Sequence, residues 1–147
     1  IYCLKNLALS TIMVIDVCEG GGRILYIEGT GLENRLFDLN VLDEILPEYG
    51  LIRAGQWDYE RVTYDRKIVL NDHTYYLRVQ GVAVRGDVGA HDATIKLKVP
   101  ILGKHYYPHG VEYGEDENFP KALVQECREI LQAVKEELEP LTLVEQN

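Results

Sequence analysis

The sequence predicts an α+β domain: an antiparallel β-sheet with an N-terminal and a C-terminal helix packed on one face. Strand periodicity is gathered in one block from residue 55 to residue 101, and apolar residues at helical spacing flank that block on both sides. Strands and helices do not alternate along the chain, as a parallel βαβ fold would require. A chain of 147 residues with 46% apolar content is long enough to close one core, so a single folded unit is expected.

The first 24 residues look foreign to that unit. Residues 7–18 form an apolar run after Lys5, but Asp16 breaks it, no small-residue cleavage pattern follows, and it is too short to span a bilayer. The codons of Glu19-Gly20-Gly21-Gly22 could spell a ribosome-binding sequence just upstream of Leu25, and the chain begins with Ile. Two readings are open: residues 1–24 are a leader read through from a misplaced start, with the domain occupying 25–147, or residues 11–17 are a real strand followed by a Gly-rich linker.

From Leu25 the pattern is ordered. Leu25-Tyr26-Ile27 is strand-like and Gly29-Thr30-Gly31 turns the chain. Asp38 is placed to cap a helix whose apolar positions are Leu39, Leu42, Ile45 and Leu46, and Pro47 and Gly50 stop it. Tyr64, Arg66, Ile68 and Leu70 share one strand face, Asn71-Asp72 is a hairpin turn, and residues 73–84 return with Tyr75, Leu77, Val79 and Ala83 on the oily side. Residues 86–92 are a loop. Residues 93–101 alternate strictly, which predicts one strand with Ala93, Ile95, Leu97, Val99 and Ile101 facing the core and Lys96 and Lys98 facing water. Pro100 cannot donate to a ladder, so the end of that strand is expected at a sheet edge. After an irregular stretch, Asn118 can cap the second helix, Pro120 suits its first turn, and Leu123, Cys127, Ile130, Leu131, Val134 and Leu138 form its buried stripe up to Pro140.

Charge narrows the partners. The net charge is −9, and residues 112–147 alone carry ten acids against three bases. A negative chain without a basic stripe is repelled by phosphate backbones and anionic bilayers, so neither nucleic acid nor membrane is expected as a partner. Three cysteines at wide spacing, Cys3, Cys18 and Cys127, fit neither a disulfide framework nor a zinc knuckle and point to a reducing cytoplasm.

No catalytic signature emerges. His105 and His109 have the i, i+4 interval that converges on a helix, with Asp92 or Asp116 as a further ligand, but Pro108 and Gly110 make a helix implausible there. No metal and no cofactor are therefore expected. The single serine, Ser10, lies in the doubtful leader, and the glycine clusters lack the P-loop and Rossmann spacings. Asp58, Glu60 and Asp65 interleave with Arg61, Arg66 and Lys67, as charges do on a solvated sheet face. The chain carries ten Tyr, an excess enriched where two protein surfaces meet or where a small ligand stacks. The candidate ligand or interface residues are Trp57, Asp58, Tyr59, Tyr64, Tyr76, Arg78, His105 and Tyr106.

Several short blocks in order carry a family resemblance: Gly31-Leu32-Glu33-Asn34, Gly55-Gln56-Trp57-Asp58-Tyr59, Tyr64-Asp65-Arg66-Lys67-Ile68, Tyr76-Leu77-Arg78, Leu102-Gly103-Lys104-His105-Tyr106 and Gly110-Val111-Glu112. Over residues 25–139 the chain resembles the YugN-like proteins of Bacillus and related Gram-positive bacteria. The resemblance implies a small cytoplasmic α+β protein and transfers no catalytic or binding residue. The expected function is binding or self-association, most simply as a twofold dimer. The alternative is a small hydrolase or isomerase using Asp58 or His105 in an aromatic-walled cleft.

Overall fold

The computed structural model describes residues 12–16, 23–54, 59–105 and 119–144, with the backbone alone for 12–16 and 23–24. Its strands are β1 (Ile12–Asp16), β2 (Arg23–Ile27), β3 (Leu36–Asp38), β4 (Ile52–Arg53), β5 (Arg61–Leu70), β6 (His73–Arg85), β7 (Thr94–Leu97) and β8 (Ile101–His105). Its α-helices are α1 (Leu39–Ile45) and α2 (Lys121–Leu138). Every strand pair is antiparallel, and the two helices lie against the sheet's apolar face, so the expected α+β class holds.

The β5–β6 hairpin is the spine. Its ten-residue ladder runs from Arg61↔Val82 to Leu70↔His73 and turns on Asn71 and Asp72 at φ 52° and 66°. Both central residues are left-handed, the geometry of a type I′ turn, whose twist matches that of the strands. Tyr64, Leu77, Val79 and Tyr75 are buried on the inner face, as their alternation predicts.

The strand expected over 93–101 is instead two strands. Residues 98–100 interrupt it, and β7 and β8 lie in succession along the same edge of β6, β8 beside Thr74–Arg78 and β7 beside Gly81–Arg85. Pro100 is the physical reason for the break. It cannot donate to β6, but its carbonyl accepts from Ile27 N at 2.9 Å, so it is buried inside the fold and not at a sheet edge. The interruption also changes parity. Ile95 and Leu97 face the core at 0% and 1% exposure, whereas Val99 is only half-buried and Ile101, although buried, pairs with Tyr26 and Arg78 on the other face and stands outside the main core cluster.

Beyond the break the sheet forks. One branch continues from β8 to β2 and β1, and the other from β7 to β3. Gly81 sits where β7 joins β6, and a Cβ there would lie 2.3 Å from Ile95 Cγ2, so only glycine allows that approach. The short β3, which the sequence pattern had not revealed, leads directly into α1.

Asp38 caps α1 by accepting from Asn40 N at 2.8 Å. Pro47 has no N–H to continue the ladder, so α1 stops at Ile45 as expected. The chain then tightens into a 3₁₀ turn, Leu46–Tyr49, that ends on Gly50 at φ 77°. On α2, Leu123, Cys127, Leu131, Val134 and Leu138 are buried and Ile130 packs partly against them. Pro120 occupies the N-cap position, one residue earlier than expected, and Asn118 lies outside the described residues.

Candidate functional site: the helix-free sheet face

Because α1 and α2 cover one face only, alternation on β5, β6 and β8 turns a second set of side chains outward. The registers Asp65↔Arg78, Lys67↔Tyr76, Tyr76↔Gly103, Arg78↔Ile101 and Thr74↔His105 place these residues on one continuous surface. Arg78 grips Asp65 across the strands, donating from Nε to Oδ1 at 2.7 Å and from Nη2 to Oδ2 at 2.9 Å. This fork holds the Arg78 guanidinium above even its usual basicity, through the hydrogen bond to Asp65. The Tyr76 and His105 rings meet edge to face, 6.2 Å apart at 82°. Beside them is a recess of about 150 Å³ lined by Tyr76, Arg78, Ile101, Gly103, Lys104 and His105. Ile52 and Val69 extend the same face, 56% and 63% exposed.

Three of the sequence-derived candidates, Tyr76, Arg78 and His105, are therefore brought together. Tyr59 is not among them. It is exposed beside Gly89 and accepts from Val88 N, at the opposite end of β5, roughly 25 Å along the strands at ~3.3 Å per residue. Tyr64 faces the other way and is fully buried. Its hydroxyl donates to Asp43 Oδ1 at 2.6 Å, and Arg53 Nη1 donates to Asp43 Oδ2 at 2.7 Å, so it ties α1 to the β4–β5 ladder. Burial and then the Asp43 carboxylate push the Tyr64 phenol far above its ordinary range. Trp57, Asp58 and Tyr106 lie outside the described residues.

His105 stands on an open sheet face, and His73 and His91 are exposed as well. No group of three or more His, Cys, Asp or Glu among the described residues could hold a metal ion. His109 and Asp116 fall outside them. Cys127 is buried in α2, and burial pushes its thiol up to about 12. No described helix is long and apolar enough to cross a membrane.

A second recess, of about 320 Å³, lies at the fork of the sheet and is lined by Tyr26, Glu33, Asn34, Gln80, Lys98 and Val99. Sequence reasoning missed it because it read 93–101 as unbroken. The signal was Pro100, which marks the place where β7 and β8 part.

Comparison with known proteins agrees with this architecture. The model of the YugN-like family matches residues 28–137. An uncharacterised protein of Bacillus subtilis, YlbA, is 54% identical over 113 residues, covering 72% of this chain and 94% of that protein. A second uncharacterised B. subtilis protein, YugN, is 23% identical over 83 residues, 56% of this chain and 62% of its own length. The crystal structure of the uncharacterised conserved protein YugN from Geobacillus kaustophilus HTA426 superposes with a TM-score of 0.70 at 56% identity, covering 78% of this chain and 95% of that one. With its model matched over most of the chain and close relatives matched nearly end to end, this protein belongs to the YugN-like family.

Proposed function

We propose that this chain is a cytoplasmic binding module that works through the helix-free face of its sheet, and that the occupant of that face is a second copy related by a twofold axis. The observation that supports the reading is the grouping of Tyr76, Arg78 and His105 with the exposed Ile52 and Val69 on the side that neither helix covers. Aromatic and arginine side chains beside exposed aliphatics are the composition of interface centres. Arg78 already carries its counter-charge in Asp65, so it can be buried at a contact without leaving an unpaired ion. The recess that His105 and Tyr76 line, about 150 Å³, is well below the ~300–1,000 Å³ typical of ligand pockets, which favours a contact surface over acid–base chemistry on a bound substrate.

Charge supports a contact away from α2, because residues 112–147 carry a net −7 and two copies of that segment would repel each other. Lys67 borders the proposed contact, so raising the ionic strength should tighten the dimer by screening its copy. Sedimentation equilibrium at micromolar concentration should return twice the chain mass. Tyr76→Glu should return a monomer, and Glu136→Lys on the outer side of α2 should leave the dimer intact. A monomeric mass for the unaltered chain rejects the reading; a dimer that survives Tyr76→Glu rejects the placement.

A further inference from the structure

The recess at the fork of the sheet is distinct from the Tyr76–His105 surface and has the features of a small-ligand site. The loop from Glu28 to Arg35 is seated over the fork by backbone bonds: Asn34 N donates to Leu97 O at 2.8 Å and Leu97 N to Arg35 O at 3.0 Å. Asn34 is held at φ 67°, a left-handed conformation that side-chain-bearing residues seldom adopt outside defined turns. Glu33 is thereby fixed on the wall of the recess. Its Oε1 is buried without a hydrogen-bond partner among the described residues. Such an orphaned carboxylate oxygen is costly unless something supplies a donor.

The other walls supply the complement. Lys98 brings an ammonium, Gln80 and Asn34 bring amides, Tyr26 brings an aromatic ring, and Val99 brings an apolar patch. One acid and one base converge with neutral polar groups in about 320 Å³, at the small end of the ~300–1,000 Å³ typical of ligand pockets. From this juxtaposition we infer that the fork binds a small zwitterion of amino-acid size, its protonated amine on Glu33 beside the Tyr26 ring and its carboxylate on Lys98 and the Gln80 amide.

The test is a titration of the ¹⁵N-labelled full chain with glycine, L-leucine and L-lysine, with n-butylamine and acetate as probes bearing one charge each. At least one amino acid should shift the side-chain amide signals of Asn34 and Gln80 saturably, and neither single-charge probe should match its affinity. Glu33→Gln and Lys98→Met should each weaken that binding about tenfold or more, the size of one lost charge-assisted contact. Both positions retain solvent exposure, and the spectra of the unligated variants report directly whether they fold; Glu33→Asp, which keeps the charge and shortens its reach, serves if Glu33→Gln does not. Flat titrations with all three amino acids overturn the proposal, as do shifts that the Glu33 variants leave unchanged. Equal binding of n-butylamine overturns the zwitterion in particular. The dimer and the fork site fail separately, since neither Tyr76 nor His105 lines the fork.

Discussion

At the scale of single residues, Tyr64 shows how an aromatic in a polar-looking block becomes structural. Its ring fills the core under α1, and its hydroxyl is satisfied by Asp43, which also receives Arg53. Tyr64→Phe keeps the ring and deletes that bond. Because Asp43 is still partly open to water, the cost should be about 1–2 kcal/mol by chemical denaturation, less than that of a fully buried charged bond. Leu97 and Lys96 are neighbours in sequence with opposite surroundings. Leu97→Ala should cost about 2–5 kcal/mol, and Lys96→Ala should stay within about 0.5 kcal/mol; equal losses would mean that the inner and outer faces of β7 are misassigned. Cys127 gives a pH signature. Its thiol is raised by burial, so between about 8.5, the ordinary thiol value, and about 12 the unfolded chain ionises while the folded chain does not. Its contribution is therefore whole below about 8.5 and lost as pH climbs toward 12. Cys127→Ala should remove that part of the alkaline decline, and iodoacetamide should label Cys127 itself, read by peptide mass, at pH 8 only as fast as the native protein opens globally.

At the scale of elements, the spine hairpin is nearly ideal except at its turn. Both turn positions are left-handed, yet neither is glycine. Asp72→Gly would supply the Asn-Gly pair that this turn prefers and should raise stability by about 0.5–1 kcal/mol, the relief of left-handed strain being offset in part by the freer unfolded chain. A drop in the thermal midpoint would show that the Asp72 side chain holds the turn. The hairpin, Asp38 as a cap and the α2 stripe were legible because each depends on neighbours a few residues away. The splitting of residues 93–101 was not. Alternation over that segment is real as far as Leu97, but whether a strand continues past Pro100 depends on whether β6 has length left to pair with, and β6 is distant in sequence. The same long-range cause hid β3, whose three residues become a strand only because β7 lies beside them. For the candidate site, alternation correctly turned Tyr76, Arg78 and Gln80 outward. It also set Tyr64 on the opposite face with Ile68 and Leu70, but did not reveal the structural use of its hydroxyl, since the hydrogen-bond partner, Asp43, lies on another element.

At the scale of the whole molecule, the open question is how far the folding unit extends before Leu25. Among the residues whose side chains are described, the core is built between α1, α2 and the inner faces of β2, β5, β6, β7 and β8. Among the described residues β1 lies at the end of the sheet, and its one ladder is with β2, from Ile12↔Ile27 to Asp16↔Arg23. Removing an edge strand exposes a row of backbone groups to water, which satisfies them, whereas removing a central strand would empty the core. We propose on this basis that residues 1–24 are dispensable for folding: the cut takes β1 and the first two residues of β2, Arg23 and Ile24, and leaves the Leu25↔Leu102 and Tyr26↔Ile101 pairs with β8 in place. A chain beginning at Leu25 should unfold in one cooperative transition with a thermal midpoint close to that of the full chain. The exposed flank of β2 is the hazard, because Leu25 and Ile27 sit on a strand edge that another chain could extend. If the shortened chain loses several degrees or aggregates while the full chain stays soluble, β1 is an integral part of the sheet. If the midpoint holds, the same shortened chain allows a sharper comparison: the twofold mass expected of the full chain should persist, since the contact proposed through Tyr76 and Arg78 is centred on β6 and β8 and draws nothing from β1.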